Sequence, residues 1–225
     1  MSIENAGDFD PASVLEPVEI RVLAVLAEKE ALTPDNYPMS LNAIVNGCNQ
    51  LSSRDPVMQL TDEEVQDTLQ RLMDRKLVNC ITQAGARVAK YEHRMRIKWT
   101  LEQDKVAVLT VLMLRGPQTA GEVRTRTGRL HDFKSVPEVE SALQFLIDKY
   151  PPLVAKLERA PGTKEHRYGQ LLGGAVELAR EDAATGGGTP GPGGRVAQLE
   201  HEVETLRAEV DALKAQFEEF RKQFE

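Results

Sequence analysis

The sequence predicts a mainly α fold with small β-hairpins (α+β), in which one unit occurs twice in tandem and a coiled-coil helix follows. Three observations predict it. Residues near 15–93 and near 102–168 carry the same order of signals: an apolar helix of the form Val-Leu-x-Val-Leu (Val22 to Leu26, Val108 to Leu112), two capped helices and a basic hairpin. Within the third helix of each unit, Thr61, Glu64, Val65, Leu69 and Leu72 recur as Ser135, Glu138, Val139, Leu143 and Leu146 at one constant offset. Near the C-terminus, Val196, Leu199, Val203, Leu206, Val210, Leu213, Phe217, Phe220 and Phe224 step by three and four, a heptad seam. Three helices followed by a two-stranded ribbon is the order of a winged helix. The expected architecture is therefore two tandem winged-helix domains over 15–97 and 98–175, a Gly/Pro-rich linker over 176–194 and a coiled-coil dimerisation helix over 195–225.

Residues 1–14 are polar and acidic without a period, which predicts a disordered lead-in. A first helix is expected over 16–30, with Pro17 tolerated in its first turn and Val18, Val22, Val25 and Leu26 forming an apolar stripe. Two prolines and an Asp-Asn pair make residues 33–38 a turn. Ser40 caps a short helix over 41–50, and the break at 52–56 precedes a capping box, Thr61 with Glu64, that opens the third helix. Segments 77–82 and 87–93 alternate around Gly85 as the first wing. In the second unit, Thr119 with Glu122 and Ser135 with Glu138 are the corresponding boxes, and 153–159 and 164–168 flank an Ala-Pro-Gly-Thr turn as the second wing. Trp99, in the joint, is expected to anchor one unit on the other.

The heptad places β-branched residues at a and Leu at d, a choice that favours two parallel strands. In that register Glu202 faces Arg207 of a second helix, and Glu209 faces Lys214. A parallel homodimer through Val196, Leu199, Val203, Leu206, Val210, Leu213, Phe217 and Phe220 is expected. The alternative is that the helix docks on its own chain.

Units of about 75–85 residues are near the lower end of what buries a self-sufficient core, so the two are expected to lean on each other or on a partner. No basic leader and no apolar run of about 20 residues is present, so a cytoplasmic protein without membrane contact is expected. Cys48 and Cys80 lack a CxxC or a neighbouring His pair; they read as reduced structural residues, with no metal site and no cofactor. The net charge of −7 is unevenly spread, because residues 98–175 hold 12 basic against 9 acidic side chains while the two ends are acidic. Local sign decides a phosphate contact within a Debye length of about 8 Å.

Candidate nucleic-acid contacts follow from that distribution. Arg124, Arg126, Arg129 and Lys134 surround the end of the second unit's second helix; Arg87, Lys90 and Arg94 lie in and after the first wing; Lys164 and Arg167 lie in the second. Their spread suits backbone contacts, which position a protein without reading sequence. Interleaved Glu92, Glu158 and Glu165 leave open a solvated, ion-paired surface instead. Arg71 is the third-helix cation closest to a reading position, yet Asp62, Glu63 and Glu64 crowd that helix's first turn, against sequence-specific binding. Asn42, Asn46 and Asn49 form an amide stripe continued by Arg54, able to pair with adenine, guanine or phosphate. The favoured reading of that stripe is a self-satisfying loop network. No Ser-His-Asp, Cys-His or glycine-rich phosphate loop appears, so no catalytic residue is expected.

Thr33-Pro-Asp-Asn-Tyr-Pro-Met-Ser-Leu-Asn-Ala, with Cys48-Asn-Gln and Arg54-Asp-Pro-Val-Met, resembles a signature of the bacterial YceH family of unknown function. Thr119-Ala-Gly-Glu-Val-Arg-Thr-Arg-Thr-Gly-Arg-Leu-His131 resembles the matching signature of that family's second half, and the likeness covers about residues 15–173. It departs at Leu51-Ser-Ser, where the family pattern reads Lys-Ser-Asn, removing one positive charge. The resemblance implies a tandem winged-helix fold in a cytoplasmic bacterial protein and no settled activity. The expected function is a non-enzymatic, dimeric DNA-binding protein of transcriptional-regulator type. The competing expectation is a protein interaction scaffold that binds no DNA.

Overall fold

Pro17 occupies the first turn of α1 (Pro17–Leu32), where its missing N–H costs nothing, and the Glu16 N–H donates to the Glu19 carboxylate at 2.8 Å. In this computed structural model, which describes residues 14–82, 88–159 and 165–174, α1 is the centre of the molecule. The expected one-sided stripe is corrected: Val22, Leu23, Ala24, Val25 and Leu26 are all fully buried. A helix apolar on every side is one packed on every side. The extra cover comes from α5 (Gln103–Arg115), whose own residues from Val106 to Leu114 are buried and which makes the most extensive contact with α1.

Around this pair the same order occurs twice. Strand β1 (Met39–Ser40), α2 (Leu41–Cys48), α3 (Asp62–Asp74), β2 (Val78–Ile81) and β3 (Lys90–His93) accompany α1. After α4 (Met95–Trp99), strand β4 (Gln118–Thr119), α6 (Ala120–Thr127), α7 (Val136–Asp148), β5 (Val154–Lys156) and β6 (Arg167–Gln170) accompany α5. Each set builds a three-stranded antiparallel sheet, β1-β3-β2 and β4-β6-β5, with Met39 opposite Tyr91 and Gln118 opposite Tyr168. The chain is thus α+β. The two-residue strands β1 and β4 complete what reads in sequence as hairpins alone.

Local chemistry explains most boundaries. Ser40 Oγ accepts from Ala43 N, and the boxes at Thr61/Glu64 and Thr119/Glu122 form as expected. Helix α2 ends at Cys48, short of residue 50, where the Asn49 side chain leaves to bond both the N–H and the carbonyl of Leu60 at 2.7 and 2.8 Å. The Ser135/Glu138 box is corrected: Ser135 makes no cap, and the Glu138 carboxylate instead accepts the N–H of Lys134. Gly47 is required by packing, since a Cβ there would lie 2.5 Å from Val25 Cγ1. That absence lets α2 touch α1.

The two sets share one core, with Leu23, Leu69, Leu109 and Leu143 in a single buried cluster. Trp99 is half-buried against it. Backbone bonds also cross between them, from Asp55 N to Leu114 O at 2.8 Å and from Leu15 N to Leu172 O at 2.7 Å. Small units therefore complete their cores on each other, as their size requires. Among the described residues no helix is long and apolar enough to cross a membrane. The expected disordered lead-in over 1–14, apart from Val14, the wing tips and the coiled-coil helix over 195–225 lie outside the described residues.

Candidate nucleic-acid interface

Two buried ion systems decide which basic residues are free to meet a ligand. Arg54, a candidate contact in the sequence, is enclosed. Its five N–H donors go to Gly47 O, Ser53 O, Gln50 Oε1 and both oxygens of Glu28, the shortest of these at 2.6 Å. With its side chain wholly buried, Arg54 cannot reach a phosphate, and it is withdrawn as a contact. The amide stripe follows it: Asn49 holds Leu60, and Asn46 donates to Asn42. Asn49 and Arg54 tie the loop to α2, whereas Asn42 and Asn46 stay exposed and bond each other.

Arg71 is half-exposed but engaged with Glu16, with the buried Glu19 and with Thr68; Arg75 pairs with Glu19 and donates to Val14 O. Glu19 is 0% exposed, so these arginines neutralise a buried carboxylate before they can serve anything else. Arg21, 1% exposed, donates to Cys48 O and Pro56 O, balancing its charge on the C-terminal carbonyl end of α2. Nothing in the sequence distinguished Arg21 or Glu19 from surface charges, because each falls inside an apolar run that looked one-sided. Burial pushes the neighbouring Cys48 thiol up to about 12, which keeps it a thiol and not a nucleophile.

A group of basic side chains lies on the second set of elements, several of them in surface ion pairs. Arg124 is exposed and held on the α6–α7 connection, donating to Phe133 O at 3.3 Å and Lys134 O at 3.0 Å. Lys134 is exposed beside Asp132, and Arg129 is exposed on the same connection. Glu122 gathers Arg126 at 3.8 Å and Arg167 at 3.6 Å while capping α6. Arg115, overlooked in the sequence as an ordinary helix-end residue, lies near enough to Arg126 to be affected by its charge and donates to Ser53 Oγ. Lys90 is exposed on β3, and Arg94 is half-exposed at the start of α4, well apart from that group in the chain. Arg87 and Lys164 lie outside the described residues. Opposed to these cations are the acidic faces of α3 and α7: Asp62, Glu63, Asp67, Glu140 and Asp148 are all exposed.

A polar knot behind β3 gives a pH handle. Met95 N donates to His93 Nδ1, so the ring proton sits on Nε2 and is donated to Glu30 Oε2 at 3.0 Å, with Arg96 at 3.5 Å. That hydrogen bond, against the opposing effect of burial, and then the charge of Arg96 hold the Glu30 carboxyl below the usual carboxylate range. A depressed folded value contributes stability above the unfolded one and loses it as pH falls. The stability advantage of the native chain over Glu30→Gln is expected to be steady above about pH 5 and to shrink toward pH 3. Urea midpoints at several pH values measure this; parallel curves for the two proteins would refute it.

Among the described residues no cluster of His, Cys, Asp and Glu has a metal-binding arrangement. Fold and surface together define an α+β protein built from one unit used twice, with exposed basic side chains grouped around the α6–α7 connection. The chain belongs to the bacterial family described as protein of unknown function, DUF480, whose model matches residues 15–163. The membership expected from the two signatures is borne out. Relatives include UPF0502 proteins of Janthinobacterium sp. (strain Marseille), 64% identical over 196 residues (86% of this chain, 84% of the relative), and of Herminiimonas arsenicoxydans, 58% identical over 210 residues (92% and 89%). One from Shewanella pealeana is 44% identical over 205 residues (86% and 95%).

Proposed function

We propose that the chain is a non-enzymatic tandem winged-helix protein that binds duplex DNA along its backbone through the second unit. The observation that carries this reading is the trio of exposed cations Arg124 in the last turn of α6 and Arg129 and Lys134 on the connection to α7, with Arg126 and Arg167 gathered on Glu122. Contacts of this kind neutralise phosphates and read no bases. Arg54 is excluded, and Arg71 is secondary because it already serves Glu19. Sequence-specific insertion of α3 or α7 into a groove is disfavoured, since both present exposed carboxylates to any phosphate.

The test is fluorescence anisotropy of the full chain with random-sequence duplex at about 50 and 200 mM salt, across which several phosphate contacts cost orders of magnitude in affinity. Tight, steeply salt-dependent binding supports the reading. A flat salt response, or no binding at low salt, favours the second reading, an interaction scaffold. The observation on that side is the exposed row Asp62, Glu63, Asp67 and Asp74 on α3, a face suited to a basic protein partner.

The heptad seam from Val196 to Phe220 adds a parallel homodimer to the proposal. Sedimentation of the full chain is expected to give a dimer, and of a chain ending at Ala183 a monomer. Two monomers would sink the heptad reading.

A further inference from the structure

The ends of α5 and α7 and the connection between α6 and α7 enclose a cleft of about 340 Å³. The volume sits at the small end of the range for ligand sites, the size of a metabolite and not of a peptide. Its walls combine the rings of His131, Phe133 and Phe145 with the carboxylates of Asp104 and Glu138. His131 and Phe133 meet edge to face with centroids 4.6 Å apart, a rigid corner. Phe145 is 42% exposed, on a helix whose residues Val139, Leu143 and Leu146 are fully buried.

The chemistry of the walls selects the sign of a ligand. The Phe145 ring already attracts cations: Lys105 Nζ and Lys149 Nζ each lie 5.2 Å from its centroid. Lys105 itself brings no free positive charge, being paired with Glu102 at 2.7 Å and Asp104 at 3.0 Å. Glu138 spends one oxygen on the N–H of Lys134, and its other oxygen makes no hydrogen bond among the described residues. Three carboxylates, Glu102, Asp104 and Glu138, thus stand around the cleft against two lysines, Lys105 and Lys149, and aromatic faces lie beside them. An anion would be repelled there, whereas a cation with a short carbon stem finds both a counter-charge and a ring.

The geometry points to a binding site for a small organic cation, an alkyl-guanidinium or alkyl-ammonium, seated against Phe145 and Phe133 with its charge toward Glu138. The site has a route to the proposed DNA contacts. Phe133, a wall of the cleft, presents its carbonyl to Arg124, and the Lys134 N–H held by Glu138 belongs to the residue whose carbonyl holds Arg124 as well. An occupant therefore bears on the connection that positions Arg124 and Lys134. This coupling rests on the DNA reading; the cleft's own chemistry does not.

The experiment is isothermal titration of the full chain with agmatine and with putrescine, without DNA and at about 200 mM salt, where loose surface attraction is screened. Saturable binding of either is expected, weakened about tenfold or more by Phe145→Ala and by Glu138→Gln, both exposed positions whose replacement should leave the circular dichroism unchanged. Lys105→Met, which removes one of the two lysines from the ring, should bind more tightly. Absence of saturable binding to both amines, or equal binding by the Phe145 and Glu138 variants, would overturn the site. If agmatine binds and DNA does not, the cleft stands and the DNA reading falls. If DNA binds and neither amine does, the reverse holds.

Discussion

Arg54→Ala is expected to lower the unfolding free energy by about 3–5 kcal/mol, the range for removing one partner of a buried ion pair. The argument is one of stranded groups. Glu28 would keep a charge in a side chain only 12% exposed, with only Lys29 at 3.5 Å left to it among the described residues, and the carbonyls of Gly47 and Ser53 would lose the Arg54 donor. Arg54→Lys should recover little, because an ammonium has three donors and cannot form the planar two-point contact with Glu28. Paired replacement of Arg54 by Met and Glu28 by Gln should cost much less than either change alone would suggest, because no charge is left without a partner. Urea denaturation of the four proteins gives the cycle. A loss below about 1 kcal/mol for Arg54→Ala would show that the pair contributes no more than a surface bridge.

The largest expected effect on binding is that of the triple reversal Arg124→Glu, Arg126→Glu and Arg129→Glu. If these side chains meet phosphates, duplex affinity at low salt should fall by at least about a hundredfold, and the slope of log affinity against log salt should shrink by roughly one for each contact removed. Because Arg124 also ties the α6–α7 connection through Phe133 O and Lys134 O, its loss has a structural component. A control separates the two: Arg124→Gln keeps a donor while removing the charge, and should lower the salt slope without lowering the thermal midpoint. Wild-type DNA affinity in the triple variant would end the assignment of this face.

What was legible in the sequence was whatever is decided within a few residues. Helix starts at Ser40, Thr61 and Thr119 follow from side chains that satisfy the next turn's N–H groups, and the hairpins follow from alternation about a turn. Features decided at long range were not. Strands β1 and β4 are two residues long, with no pattern of their own, and exist because β3 and β6 return to them from about fifty residues away. The all-round burial of α1 depends on α5, and the fate of Glu19 and Arg21, polar letters within an apolar run, depends on Arg71 and Arg75 and on the carbonyls of Cys48 and Pro56. The candidate contacts divide in the same way. Charge counting pointed to the second unit, but it could not tell Arg54, locked inside, from Arg124, which faces solvent while tethered to two carbonyls.

The bond from Leu15 N to Leu172 O places the beginning and the end of the described body side by side. Topologically the body is a ring cut at one point, between the residues that follow β6 and those that precede α1. A reordered gene that joins residue 174 to residue 14 through a short glycine linker, and opens the chain elsewhere on the surface, would preserve every helix and strand pairing. The order in which the two units are synthesised is then a matter of history, not of architecture.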